Sequence, residues 1–164
     1  DGWKHLEDPS VVKENFKDFS GGTAEVISSI EHVYKWGLFR YPLKQSWYND
    51  RVILIGDAAH PTLPFLAQGA AMAIEDSFVL ASKIFEFSNS SVAFKEFRRD
   101  RLPRVRRVVL ASTKNAHIFH LSNIISRGVF QVSLRFLSKF FPHLLVKRFN
   151  WIYDYNVTNK NYSS

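Results

Sequence analysis

The 164-residue chain is 46% hydrophobic and 15% aromatic, with 6 prolines and 7 glycines, a globular composition long enough for one domain and its core; no fixed-period repeat or low-complexity tract points to a solenoid or a disordered tail. It has no cysteine, which excludes disulfide scaffolds and thiolate metal sites and is compatible with a reducing, cytoplasmic compartment. The net charge of +7 conceals two opposite halves, since residues 1–82 carry 7 Lys+Arg against 11 Asp+Glu and residues 83–164 carry 15 against 4; the basic half suits an anionic cofactor or substrate, a membrane surface or nucleic acid.

The opening DGWKHLEDPS has neither the basic start nor the apolar run of a signal peptide, and it does not begin with methionine. PSVVKENFKDF reads as a short helix, with Pro9 and Ser10 suited to its first turn and Val12, Phe16 and Phe19 at helical spacing. Gly21 and Gly22 are expected to end it. AEVISSIEHV is a second short helix, and YKWGLFRYP a strand with Trp36, Leu38 and Arg40 on one face, closed by Pro42. After the turn residues Asn49 and Asp50, VILI is an unbroken apolar run, mostly β-branched and ended by Gly56, the pattern of a parallel-sheet strand buried on both faces.

From Gln68 to about Phe87, Ala70, Ala71, Ala73 and Ala81 together with Met72, Ile74, Leu80 and Ile84 predict a helix with a narrow, closely packed face. SNSS breaks it, Ser90 or Ser91 caps the next, and that long helix continues to about Leu121 with a kink at Pro103. The remainder is mostly helical, interrupted at Gly128 and Pro142. The expected fold class is therefore α/β with helix predominating. VFQVSLRFLSKFFPHLLV, residues 129–146, is broken by Gln131, Arg135, Lys139 and Pro142 and cannot comfortably span a bilayer. It reads as packing over the sheet or covering a pocket, with an amphipathic membrane-surface element as the alternative.

The chemistry concentrates in RVILIGDAAHPTLPFLAQGAAMAIEDSFVLASKI, residues 51–84. Gly56 at a strand end lets the backbone turn sharply, and Asp57 is an acceptor suited to a ribose or polyol hydroxyl at a position where open α/β sheets place ligands. Ala58 and Ala59 leave room for a bulky group, while Pro61 and Pro64 stiffen the loop. Gly69 lets a ligand approach the free N–H groups and positive dipole end of the following helix. The plain alternative is a tight strand-to-helix connection with no ligand at all.

Other candidates have bland readings beside them. His60 can be structural. His117 and His120 are three apart on a helix, but no third metal ligand accompanies them. Glu75 and Asp76, as neighbours, are expected on different helix faces, with packing and hydrogen-bonding roles in place of paired catalysis. Arg98, Arg99, Arg101, Arg104, Arg106 and Arg107 surround their helix without forming a stripe, while Phe94, Phe97, Val105, Val108 and Val109 supply a core face. Salt bridges to the acidic first half therefore outweigh nucleic-acid binding.

The stretch GDAAHPTLPFLAQGAAMAIED, residues 56–76, resembles the second FAD-binding signature of the flavin-dependent aromatic hydroxylases, the class A flavoprotein monooxygenases of the salicylate hydroxylase type. KWGLFRYPLKQSWYNDRV, FKEFRRDRLPRVRRVV and WIYDYNV resemble the stretches before and after it, so the similarity covers nearly the whole chain. The resemblance implies that Asp57 binds the ribityl chain of FAD, with Gly56 allowing its approach. It implies that His60, Pro61 and Pro64 lie beside the flavin ring, and that Gln68, Gly69 and Ala70 face the edge that gains charge on reduction. No catalytic side chain and no metal is implied. The implied reaction is hydroxylation of an aromatic acid or phenol with NAD(P)H and O2.

The family's G-x-G-x-x-G turn is absent from these residues, and Asp1-Gly2 does not continue as its mid-chain DG motif. Ala67 stands where many relatives have glycine, although salicylate-hydroxylase-like members share the alanine. The expectation is a C-terminal fragment of an FAD/NAD(P)-binding monooxygenase fold, inactive alone: 1–50 a remnant of the substrate domain, 51–90 the FAD-motif strand and helix, 91–164 the C-terminal helices. Its partners would be an aromatic substrate, the missing N-terminal FAD-binding part and, through an exposed sheet edge, a second copy. No nucleic-acid partner and no membrane span are expected. The rival reading is a non-catalytic basic helical module that binds nucleic acid or an anionic membrane surface.

Overall fold

The computed structural model of the chain describes residues 5–39 and 41–159, which fall into two units that divide after Phe39. In the first, β1 (His5–Glu7) pairs antiparallel with β2 (Val33–Lys35), His5 opposite Lys35 and Glu7 opposite Val33. Between them lie α1 (Pro9–Asn15) and α2 (Gly22–Ser28). Asp8 caps α1 by accepting the Ser10 N–H at 2.8 Å, and Pro9 occupies a first-turn position that needs no N–H.

Three expectations change in this unit. The glycine pair opens α2 instead of ending α1: Gly21 is the N-cap at φ 64°, in the left-handed region that favours glycine. α2 stops at Ser28, where the Ser28 and Ser29 hydroxyls donate back to the carbonyls of Glu25 and Val26 at 2.8 and 2.9 Å. The strand expected over 34–42 is, among the described residues, only β2, and Trp36 and Leu38 beyond it are both exposed. Arg40, assigned to the same face, lies outside the described residues, as do Asp1 and Gly2.

The second unit is built on α3 (Gly69–Glu86) packed along α4 (Ser90–Phe119). Its core joins Trp47, Leu66, Met72, Val79, Phe97, Val105, Val108 and Ile152. Residues 41–50, grouped with the first part from sequence, belong to this unit, and Trp47 is buried in its core. Asn89, not Ser90 or Ser91, caps α4, accepting the Val92 N–H at 3.2 Å. α4 continues through Pro103, whose missing N–H leaves the Arg99 carbonyl without its helical donor. The packed face of α3 is Met72, Glu75, Asp76 and Val79; Ile74 and Ile84, expected on it, are exposed.

Residues 52–55 do not form the doubly buried strand. Among the described residues they make one isolated bridge, Tyr48 to Ile53, flanked by Leu54 N–H to Trp47 C=O at 2.7 Å. A strand exists through its neighbours, and no neighbouring strand is described in this unit. Ile53, Leu54 and Ile55 instead lean half-buried against the helical core.

α5 (Ile124–Phe140) runs through Gly128 unbroken, and Pro142 opens α6 (Pro142–Lys147). These two helices pack on one another and contain no buried residue. α7 (Asn150–Tyr153) follows, carrying Ile152 into the core. No described helix is long and apolar enough to cross a membrane.

Exposed Ala67 sits at φ 50° and ψ 35°, a left-handed conformation that crowds a Cβ. Relief of roughly 1–2 kcal/mol of strain, offset by about 0.4–1 kcal/mol of extra unfolded-chain entropy, should make Ala67→Gly more stable by roughly 0.5–1 kcal/mol. Thermal unfolding checks this, and a lower midpoint would contradict the strain argument.

Candidate functional site

The loop between residues 56 and 70 is shaped by one close approach. Gly56 has φ +53°, and a Cβ there would lie 3.2 Å from the Ala73 Cβ. Two small residues thus let the loop press against α3, and the 3-10 turn Gly56–Ala58 closes with Ala59 and His60 N–H groups donating to the Gly56 carbonyl at 3.0 and 2.9 Å. The turn leaves Asp57 exposed, with no hydrogen-bond partner for its carboxylate among the described residues. A Cβ on Gly69 would lie 3.8 Å from Asp57 Oδ1, so the carboxylate stands beside the first residue of α3. That helix start has no side-chain cap. An acceptor and a set of free N–H donors are therefore adjacent: hydroxyls suit the first, anionic or carbonyl oxygens the second.

Asp57, Ala58 and Pro61 form one wall of a cleft of about 440 Å3, and Tyr41, Pro42 and Lys44 form the other. The upstream wall was not singled out from sequence as part of the site. No local pattern marks it, because its residues reach the loop only through the fold. Of the remaining residues read from sequence, Pro64 and Ala70 are exposed, whereas Gly56, His60 and Gln68 are buried. His60 in particular is turned inward, 1% exposed and against Trp47 at 5.4 Å between ring centroids. A larger hollow of about 1870 Å3 is lined by parts of α3, α4 and residues 150–159 and by none of this loop.

Beneath the loop runs a buried ionic network. Asp76 accepts the Gly56 N–H at 2.9 Å, His60 Nε2–H at 2.6 Å and Arg101 Nε–H at 2.7 Å. Burial pushes the Asp76 carboxyl up, but those hydrogen bonds from His60, Gly56 and Arg101 outweigh it and hold it below its ordinary value of 3.8. An ionised Asp76 cannot donate, so the proton of this pair sits on His60 Nε2. Arg101 also donates to Glu75 at 2.7 Å. Glu75 in turn accepts from Arg104 at 3.1 Å, and Arg104 donates to the carbonyls of Trp151 and Ile152 at 2.8 and 3.1 Å.

Neighbouring Glu75 and Asp76 therefore share one partner, contrary to the expectation of separate faces, because the long Arg101 fork lies across both. Two members of the arginine run are buried and paired with acids of the first half. His120, considered as a metal ligand from sequence, donates through Nδ1 to the Ala116 carbonyl at 2.8 Å.

Residues 1–112 match the family model described as FAD binding domain. The chain belongs to the FAD binding domain family. The resemblance to class A flavoprotein monooxygenases read from residues 56–76 is upheld. Among curated relatives, 3-amino-4-hydroxybenzoate 2-monooxygenase of Streptomyces platensis is 37% identical over 73% of this chain and 30% of its own length. The chain thus spans about three tenths of that relative. In fold it is similar to a salicylate hydroxylase substrate complex, with a TM-score of 0.72 and 22% identity, covering 96% of this chain and 37% of that one. Klebsiella pneumoniae HpxO complexed with FAD and uric acid has a TM-score of 0.65 and 23% identity, over 77% and 33%. The α/β, helix-rich fold class agrees with these FAD-binding structures.

Proposed function

We propose that this chain supplies part of the FAD site of a monooxygenase that hydroxylates an aromatic acid or phenol, with NAD(P)H as reductant and O2 as oxidant. One observation carries the reading: an unpaired Asp57 carboxylate stands beside the uncapped start of an 18-residue helix, in a cleft. The donor set fits the group. Asp57 accepts from hydroxyls of a polyol chain, and the N–H groups of Gly69 and Ala70 face electron-rich oxygens. Tyr41, Pro42, Ala58 and Pro61 offer apolar walls to a flat ring. Bound FAD would supply the electron transfer and oxygen activation, while the side chains supply position, field and shelter from water.

In this reading Asp57, Gly69 and Ala70 touch the cofactor, and Pro61 and Pro64 limit the loop's motion. His60 acts from below, by holding Asp76, and Gln68 by filling the space under the helix start. The aromatic substrate is inferred from the relatives' names and the cleft's apolar walls.

Titration with FAD, followed by flavin fluorescence, tests the proposal on the full polypeptide: saturable binding supports it, and its absence counts against it. Gly69→Ala sharpens the test. The new methyl would meet Asp57 Oδ1 and Thr62 Cγ2 only at 3.8 Å, an ordinary contact, so folding tolerates it. It would occupy the space through which a ligand reaches the helix start. The expected result is unchanged or slightly higher stability, within about 1 kcal/mol, and weaker FAD binding. Equal FAD affinity in the two proteins would place the ligand elsewhere.

A further inference from the structure

The buried network does more than neutralise charge, because it connects the motif loop to residues far along the chain. One edge of the Arg104 guanidinium meets Glu75, through Nη2 at 3.1 Å and Nε at 3.4 Å. The other meets the Trp151 and Ile152 carbonyls. Its central carbon, Cζ, lies over the Tyr155 ring, 4.1 Å from the ring centroid. Glu75 is also held by Arg101, and Arg101 by Asp76. Asp76 ends the series on the Gly56 N–H, one residue before Asp57.

Apart from the Tyr155 contact, a cation over an aromatic ring, each link is a charge-assisted hydrogen bond in a buried or half-buried setting, where such bonds are strong and an unpaired group is costly. Gly56 is the weak point that needs such an anchor. Its backbone is left-handed, and glycine by itself selects that conformation no more than several others. The direction in which Asp57 leaves the turn therefore depends on the Asp76 anchor beneath it.

Resting on the reading of this loop as a flavin cradle, we infer that the segment 151–155 positions the loop: Tyr155 and the carbonyls of Trp151 and Ile152 hold Arg104, and Arg104 acts through Glu75, Arg101 and Asp76 on Gly56. Tyr155 and Arg104 are positioning residues, and neither needs to touch the cofactor.

The test measures FAD affinity and the absorption spectrum of bound flavin on the full polypeptide, well below each variant's unfolding temperature. Tyr155→Leu removes the ring over Arg104. Arg104→Lys keeps the charge facing Glu75 but not the fork that grips two carbonyls. Either is expected to raise the FAD dissociation constant about tenfold and to alter the bound spectrum, while Tyr155→Phe, which keeps the ring, restores wild-type values. A folded Tyr155→Leu or Arg104→Lys protein with a dissociation constant within about twofold of wild type and an unchanged spectrum would overturn the inference.

A second readout separates this inference from the cradle reading. Hydrogen exchange at the Gly56 N–H needs no flavin. If wild type binds no FAD, the cradle reading fails, and the link is still decided: faster exchange at Gly56 in Tyr155→Leu supports it, and unchanged exchange refutes it.

Discussion

Replacing Asp57 with alanine is expected to weaken FAD binding by roughly 10- to 100-fold while changing folding stability by less than about 0.5 kcal/mol. The first figure follows from losing hydrogen bonds to a charged acceptor, worth about 1.5–3 kcal/mol. The second follows from position: Asp57 is exposed and its carboxylate has no partner among the described residues, so removing it leaves nothing unsatisfied within the fold. Asp57→Asn should fall between the two, keeping an acceptor but not the charge. Fluorescence titration gives the affinity and urea unfolding the stability. A large loss of stability would show that Asp57 is structural.

The opposite signature is expected at Asp76. Asp76→Asn keeps the shape but leaves Arg101 and His60 buried against a neutral amide, and breaking a buried pair in this way costs about 3–5 kcal/mol. Against a typical total of about 5–15 kcal/mol, that is a large fraction, readable as a shifted denaturant midpoint. An exposed pair makes the contrast, since Glu14→Gln, opposite Lys17 on the surface, should cost less than about 1 kcal/mol.

The pH dependence has a definite sign. Because the folded protein holds the Asp76 carboxyl below its ordinary 3.8, it gives up that proton more readily than the unfolded chain. The associated stabilisation is complete above about pH 4 and fades as pH falls through the lower folded value. Asp76→Asn removes this contribution, so wild type and variant should converge in stability under acid. Curves that stay parallel down to pH 2 would assign the acid sensitivity to other groups.

Elements whose signal lies within their own segment are legible in the sequence. The 18-residue α3 and 30-residue α4 emerge within a residue or two of their predicted limits, because helical hydrogen bonds and periodicity lie within the segment itself. The adjacency of Asp57 to the start of α3 was legible for the same reason: a short, proline-stiffened loop separates them. Even the glycine at 56 announced a tight turn, although not the contact with Ala73 that makes a side chain there expensive.

What remained illegible was set by partners distant in the chain. Residues 52–55 have the composition of a central strand, yet a strand needs neighbours, and here Ile53, Leu54 and Ile55 supply half-buried packing to helices while Val52 is exposed. His60 reads as a loop residue free to face a ligand; the fold turns it onto Asp76, 16 positions away. Glu75 and Asp76 read as two unrelated acids until Arg101, 26 and 25 positions on, spans both. The sequence by itself determined the family motif, the helices that carry it and the acceptor that faces the cleft. Only the tertiary structure decided which of the motif's polar residues face outward and which are held beneath, because buried charges must find partners and those partners lie on other elements.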